Sequence, residues 1–289
     1  MRVLQIGLGG FGKNHLKAWT QLGLGKDLYV AEIQREKALA ECSIYNIGPE
    51  RVSAHYQDFL PLADVVDIVT ATDTHYALCR EALQARKDVF VEKPMTLTSG
   101  EAGDLVKMVR SGKRILQVGY YYRFHPASQW IKERIQSGGL GRLRYLSGNF
   151  MGFKRARTDV GVTHTDVIHF IDLFNWFVSQ PPKEVCAFTR DHFHRGLEDF
   201  SIVVCTYPNG EIAKVESGYI QPGDWVDKVV PSAWTTKEIS VIGSQATLEA
   251  DFEIGEVKAH QVHHELRDGI WTAVHDGSSL PPIGVAGPI

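Results

Sequence analysis

The sequence predicts an α/β protein in two parts: a doubly wound parallel sheet over residues 1–120, then an α+β domain over 121–289 built on a large, open, mostly antiparallel sheet. Three observations carry this. Short apolar runs alternate with amphipathic segments up to about Gly119, the rhythm of strands joined by helical crossovers. Beyond Tyr120 strand-like runs follow one another with few helices between them, which implies antiparallel pairing. A glycine-rich turn comes directly after the first apolar run, in MRVLQIGLGGFG.

In the first part, the apolar run 3–6 reads as a buried parallel strand and 11–24 as the helix after the turn. Strands follow at 28–33, 52–56, 65–70, 89–91 and 115–118, with helices at 35–42, 75–85 and 99–111. In the second part, helices are expected at 126–137 and 166–178. Strands are expected at 143–150, 184–189, 200–207, 212–219, 238–242, 247–252 and 257–261, with Pro208-Asn209-Gly210 as a hairpin signal. A large open sheet needs a cover, which favours a homodimer or homotetramer through that face.

The turn has G-x-G-x-x-G spacing at Gly7, Gly9 and Gly12, with Gly10 and Phe11 inside it. Gly7 permits the tight turn, Gly9 lets the backbone approach a pyrophosphate, and Gly12 lets helix and strand pack closely. The helix N-terminus then turns free N–H groups and its positive dipole end to the phosphates. This is the Rossmann dinucleotide signature in its proper strand–turn–helix context. Glu32, about 20 residues on, suits the adenosine ribose hydroxyls and would repel a 2′-phosphate, which favours NAD over NADP. Arg35 could approach a 2′-phosphate, or be a solvated first-turn residue beside Glu36 and Lys37.

Bulk properties narrow the classes. The chain has 289 residues, 44% of them apolar, and a net charge of −3, which gives no field for nucleic acid or an anionic membrane. No apolar stretch is long enough to span a bilayer, and the N-terminal run breaks at Gly7, unlike a signal peptide. Cys42, Cys79, Cys186 and Cys205 lack C-x-x-C spacing and lie in apolar segments, as reduced core thiols of a cytoplasmic protein would.

The segment FVEKP ends a strand in Glu92-Lys93-Pro94, which places Lys93 at the carboxyl edge of the sheet, where a dinucleotide would lie. A lysine there could bond a substrate oxygen and stabilise alkoxide character during hydride transfer. A solvated lysine paired with Glu92 is the plain alternative.

With IGLGGFGKNH, ATDTHYALCREALQARKDVFVEKPMT, GYYYRFHPA, GGLGRLRYLSG, IHFIDLFNWF and EISVIGSQATLEAD in view, the chain resembles the glucose–fructose oxidoreductase / inositol dehydrogenase / rhizopine-catabolism (Gfo/Idh/MocA) family over nearly its whole length. The resemblance implies that Lys93 is the catalytic lysine, and that Thr72, His75, Glu92 and Tyr121 border the nicotinamide end of the cofactor.

The segment THTDVIHFIDLFNWF holds His164, Thr165, Asp166, His169 and Asp172. His169 and Asp172, three apart, share a helix face, and a histidine near a carboxylate is general-base equipment for a secondary alcohol. The same pattern fits a buried His–Asp pair that anchors the helix. The family commonly places an Asp four residues before this His; here Thr165 stands there, and Asp166 is one position away, about 100° round an α-helix. Thr165, Asp172, Arg123 and Tyr122 are the candidate substrate contacts.

Further candidates are His125, as a ligand or a helix cap, and Lys154, Arg155 and Arg157, as an anion-binding loop or a solvated one. His192 with His194, and His263 with His264, lack the further ligands of a metal site, and no metal is assigned. After Asp251 the resemblance thins, and VHDGSSLPPIGVAGPI reads as a loop or extended arm.

The functional expectation is an NAD-dependent dehydrogenase of a sugar, cyclitol or sugar derivative, with Lys93 and His169 handling the proton. The alternatives are an NAD-retaining glycoside hydrolase of the same fold and a dinucleotide-binding sensor without catalysis.

Overall fold

The computed structural model describes residues 1–228, 230 and 232–284, with the backbone alone for 276–284. The chain divides into two compact units, Met1–Gly119 and a second beginning at Tyr120.

Unit 1 is one parallel sheet. Its strands are β1 (Val3–Ile6), β2 (Leu28–Ala31), β3 (Val52–Ser53), β4 (Val65–Ile68), β5 (Asp88–Val91) and β6 (Leu116–Val118), in the order β3-β2-β1-β4-β5-β6. The helices are α1 (Gly12–Gln21), α2 (Arg35–Ile44), α3 (Thr72–Gln84) and α4 (Ser99–Gly112). Every residue of β1 is buried, because successive side chains serve opposite faces. Val3 joins Leu16, Leu28, Ala38 and Cys42 in one core, while Leu4 and Ile6 join Ile68, Cys79, Leu83 and Leu105 in the other. The start of α4 follows from its sequence: Thr98 accepts from the Glu101 N–H at 3.2 Å, and Glu101 accepts from the Thr98 N–H at 3.0 Å, a capping box.

Unit 2 carries α5 (Pro126–Gln136) and α6 (Ile168–Val178). Its strands are β7 (Leu143–Phe153), β8 (Glu184–Arg190), β9 (Phe200–Thr206), β10 (Ile212–Gly218), β11 (Trp225–Val226), β12 (Trp234–Gly243), β13 (Ala246–Asp251), β14 (Glu256–Arg267) and β15 (Ile270–Gly284). They form one sheet in the order β15-β14-β13-β12-β7-β10-β9-β8, with β11 paired to β12. All the pairings are antiparallel except β7 with β10. The hairpin between β9 and β10 turns at Pro208-Asn209-Gly210, as the sequence predicts. The unit's core lies between the sheet and the two helices, with Phe170, Leu173, Phe174 and Phe177 of α6 packed on Leu146, Phe150, Val215 and Val241.

Two expectations are corrected. Cys186 is exposed, unlike buried Cys42, Cys79 and Cys205. It lies on β8, an edge strand whose residues are all exposed, so an apolar run there does not mean burial. The C-terminal segment is no loop: 270–284 pairs antiparallel with β14. Pro281 and Pro282 fall at a register shift on this outermost strand, where a missing N–H is tolerated. Residues 285–289 of the expected arm lie outside the described residues.

Candidate active site

In unit 1 the glycine turn is held from below by a residue the sequence reading missed. Gln5 is wholly buried, and its Nε2 donates to the carbonyls of Gly7 at 3.0 Å and Gly12 at 2.8 Å. Gly7 has φ +97°, and a Cβ there would lie 2.5 Å from the Val69 carbonyl oxygen; one on Gly12 would lie 2.6 Å from the Gly7 carbonyl oxygen. Around Gly9 and Gly10 the space is open to 4 Å. The N-cap of α1 is Phe11, whose side chain has no acceptor, so no side chain takes the helix's first N–H groups.

Glu32 follows β2 and accepts from the Leu8 N–H at 2.8 Å and the Gln34 N–H at 3.1 Å, which holds its carboxylate at the turn. Arg35 is partly exposed: its Nε donates to the Val52 carbonyl at 3.0 Å and its guanidinium lies 3.9 Å from the first-turn neighbour Glu36. An open turn, an uncapped helix start and a carboxylate after β2 fit a dinucleotide with free ribose hydroxyls.

Lys93 is half-buried and stands two residues beyond β5, at the carboxyl edge of the sheet; its bond to Pro94 is cis. Ile6, Ile68 and Val91 are in register across β1, β4 and β5. The glycine turn and the Lys93 turn therefore leave the sheet on one edge, two strand spacings or roughly 10 Å apart. Thr72 and His75, both buried, open α3. His75 braces this edge: its Nδ1 lies 2.8 Å from the Pro94 carbonyl oxygen and its Nε2 3.2 Å from that of Thr70.

Glu92 points into the unit. One carboxylate oxygen accepts from the Lys93 N–H at 3.2 Å and the other lies 3.3 Å from Nε2 of His15 on α1. Nδ1 of His15 is 3.0 Å from wholly buried Asp67 on β4, and Asp67 also accepts from Nε1 of Trp19 at 2.6 Å. Burial alone would lower the His15 pKa. The bonds and charges of Asp67 and Glu92 outweigh it and raise the pKa to about 9.

In unit 2, the predicted helix 166–178 begins as a π-helical segment, Thr163–Val167, that runs into α6. Local wide turns of this kind recur at functional sites. Thr165 is buried and its hydroxyl bonds that of Tyr219 at 2.7 Å. Asp166 pairs with Lys154 at 2.9 Å, with both side chains less than 10% exposed. Lys154 is therefore no solvated loop cation. His164 and Arg155 are exposed, and Arg157 pairs with Asp159.

His169 is 3% exposed, inside a box of aromatic rings: Tyr121 at 5.0 Å, Tyr122 at 5.1 Å and Phe150 at 6.2 Å between centroids. Burial pushes the Tyr121 hydroxyl up to about 12. Tyr122 is 3% exposed and belongs to the core; its ring supports His169 and Phe170 rather than facing solvent. Asp172 and Arg123, read as separate substrate contacts, hold each other: Nε and a terminal nitrogen of Arg123 donate to the two carboxylate oxygens at 2.7 and 2.5 Å. Burial raises the Asp172 pKa, opposed by the guanidinium. Asp172 is thus held by Arg123.

His125 caps α5, accepting from the Ala127 N–H at 3.2 Å. His192 and His194 are exposed, and His263 pairs with Glu265 on its own strand. Among the described residues no three His, Cys, Asp or Glu side chains are grouped to hold a metal. Also missed was a buried cluster on β12: the Lys237 ammonium lies 3.0 Å from Asp227, 2.5 Å from Glu253 and 5.3 Å from the Phe150 ring centroid.

Residues 1–120 match the model of the oxidoreductase family with NAD-binding Rossmann fold, Gfo/Idh/MocA, and residues 128–249 match that family's C-terminal domain. The chain belongs to the Gfo/Idh/MocA family of oxidoreductases. It is 30% identical over 221 residues to an inositol 2-dehydrogenase of Klebsiella pneumoniae, covering 73% of this chain and 65% of the relative. It is 29% identical over 191 residues to a UDP-N-acetylglucosamine 3-dehydrogenase of Acidithiobacillus ferrooxidans, covering 65% and 57%. The chain thus spans under two thirds of the length of these relatives. A solved levoglucosan dehydrogenase, in complex with NADH and levoglucosan, shares the fold with a TM-score of 0.79 at 19% identity, over 100% of this chain and 85% of that one. No helix among the described residues is long and apolar enough to cross a membrane.

Proposed function

We propose that this chain is an NAD-dependent dehydrogenase of a secondary alcohol on a sugar, cyclitol or sugar derivative, with Lys93 and His169 handling the proton. One observation carries the reading: Lys93 follows β5 on the same sheet edge as a glycine turn built for a dinucleotide. The family membership and the names of the relatives, which act on cyclitol and sugar alcohols, support it. Gly7, Gly9, Gly10, Phe11 and Gly12 would hold the pyrophosphate and Glu32 the ribose, with preference for NAD over NADP. NAD supplies the hydride acceptor. The ammonium of Lys93 donates to the substrate oxygen and stabilises its alkoxide character, and the neutral imidazole of His169 accepts the hydroxyl proton.

Thr165 with Tyr219, and Asp166 with Lys154, replace the usual carboxylate before the histidine. They are polar groups suited to hydroxyl recognition beside it. We place the protein in the cytoplasm as a homodimer or homotetramer, on the strength of its thiols and its open sheet. The test is a screen of inositols, sugars, sugar acids and nucleotide sugars for NAD reduction at 340 nm. A substrate reduces NAD in the wild type and not in Lys93→Ala; failure of every polyol class would overturn the reading.

A further inference from the structure

The histidine three residues past the last glycine of the turn has no part in the chemistry above, yet its surroundings are built around it. His15 stands between two carboxylates from different strands, 3.0 Å from Asp67 and 3.3 Å from Glu92. Its side chain is 12% exposed, Asp67 is wholly buried and the Glu92 side chain is 10% exposed. Phe11 and Phe90 meet the imidazole edge-on at 5.4 and 5.6 Å between centroids. Trp19 fixes Asp67 from behind.

The far end of the bridge is the Lys93 turn. The carboxylate that faces His15 also accepts the backbone N–H of Lys93. It can do so only because residue 119 is glycine: a Cβ there would collide with the Glu92 carboxyl group. So Asp67, His15, Glu92 and the Lys93 N–H form one continuous chain of contacts. It joins the helix that follows the glycine turn to the turn that carries the lysine.

We propose that His15 is a positioning residue for Lys93: its imidazolium clamps Glu92 in place, and Glu92 in turn fixes the backbone of the Lys93 turn. The charged ring is the form the site favours. Against the cost of burial, Asp67 and Glu92 raise its pKa to about 9, and these two are the charged groups facing it from β4 and from the end of β5. Loss of the proton leaves two carboxylates across a neutral ring, with neither fully partnered. Glu92 is then released and the turn loses its brace. The inference rests on the reading of Lys93 as the lysine that acts on substrate, but the clamp itself is measurable without turnover.

The test uses the full chain with three variants, His15→Gln, Asp67→Asn and Gly119→Ala. The first readout is hydrogen exchange at the Lys93 amide, with Val30 in β2 as a reference for overall stability. In wild type at pH 7 the Lys93 amide is protected. His15→Gln and Gly119→Ala each speed its exchange about tenfold or more while Val30 is unchanged; the second does so with His15 still present. The second readout is kinetic, with any substrate the screen yields. A turn displaced by about 1 Å costs on the order of 10²-fold in kcat, while the dissociation constant for NAD stays within about threefold. Wild type loses turnover above pH 9, and His15→Gln is uniformly slow with that limb absent.

Equal Lys93 exchange in wild type and His15→Gln, or an alkaline limb unchanged by the substitution, would overturn the clamp. Altered exchange in a protein that turns over no polyol would uphold the clamp and sink the dehydrogenase reading instead.

Discussion

Lys237→Met removes the ammonium that two buried carboxylates share. The side chains of Asp227 and Glu253 are each 1% exposed and Lys237 is 5% exposed, so water screens none of the three. Thr235 lies 3.1 Å from Asp227 and 2.8 Å from Glu253, and the Val230 N–H donates to Asp227 at 2.8 Å, but neutral donors do not replace a charge shared by both. Breaking a buried pair by taking one partner costs about 3–5 kcal/mol, because the remaining charge stays buried. For a unit of this size each kcal/mol moves the midpoint by about 2–4 °C, so unit 2 should melt roughly 6–20 °C lower. Burial opposes the Lys237 charge, but Tyr121, Asp227 and Glu253 raise its pKa above the ordinary value. By that sign the lysine's contribution is in place at neutral pH and is lost as pH rises past the unfolded value of about 10.4 and through the raised folded one. Differential scanning calorimetry at pH 7 measures the loss. The triple variant Lys237→Met, Asp227→Asn, Glu253→Gln should recover most of it, since no charge is stranded. A loss under about 1 kcal/mol for Lys237→Met alone would refute the claim that the carboxylates depend on this lysine.

Four further outcomes are expected. Lys93→Ala should leave NAD binding near wild type and reduce turnover by about 10²–10⁴-fold, read by calorimetry and steady-state rates. Glu32→Ala should weaken NAD and narrow its advantage over NADP, and tighter NADP binding by the wild type would remove the basis for the NAD preference. Phe170→Ala, at a wholly buried side chain of the second core, should cost about 3–5 kcal/mol in urea unfolding. The raised pKa of His15 stabilises the fold fully below pH 6.5 and ceases to as pH passes 9; wild type should therefore lose about 3 kcal/mol relative to His15→Gln across that window.

Local signals carried the architecture far. The alternation through residue 119, the glycine turn and the hairpin at Pro208-Asn209-Gly210 each depend on residues within a few positions of one another, and each is where it was expected. The candidate site was legible as a set of positions but not as a set of partnerships. Arg123 and Asp172 are 49 residues apart, and Asp67 and His15 are 52 apart. No periodicity reports which carboxylate a cation will meet across such intervals. Cys186 misled because composition describes a strand and not its place in the sheet, and an edge strand keeps apolar residues in water. The C-terminal segment misled because proline was read as ending a strand, though an outermost strand accommodates it at a bulge.

The single parallel pair in the second sheet has a consequence for how such a protein can change its substrate. β7 and β10 lie side by side and run the same way, so the chain cannot join them by a hairpin and must cross over. The crossover contains the π segment and α6, and with them His169. The helix follows β7 and leads into the edge strand β8, while its apolar side is locked into a core shared with residues of β7 and β10. The stretch 155–159, which enters the crossover, lies outside that core. Replacements there can re-dress the surroundings of His169 while the histidine stays where it is. New specificities should therefore arise first in that entrance, at residues such as exposed Arg155, and only rarely through Lys154, which is buried against Asp166, or through changes in the helix itself.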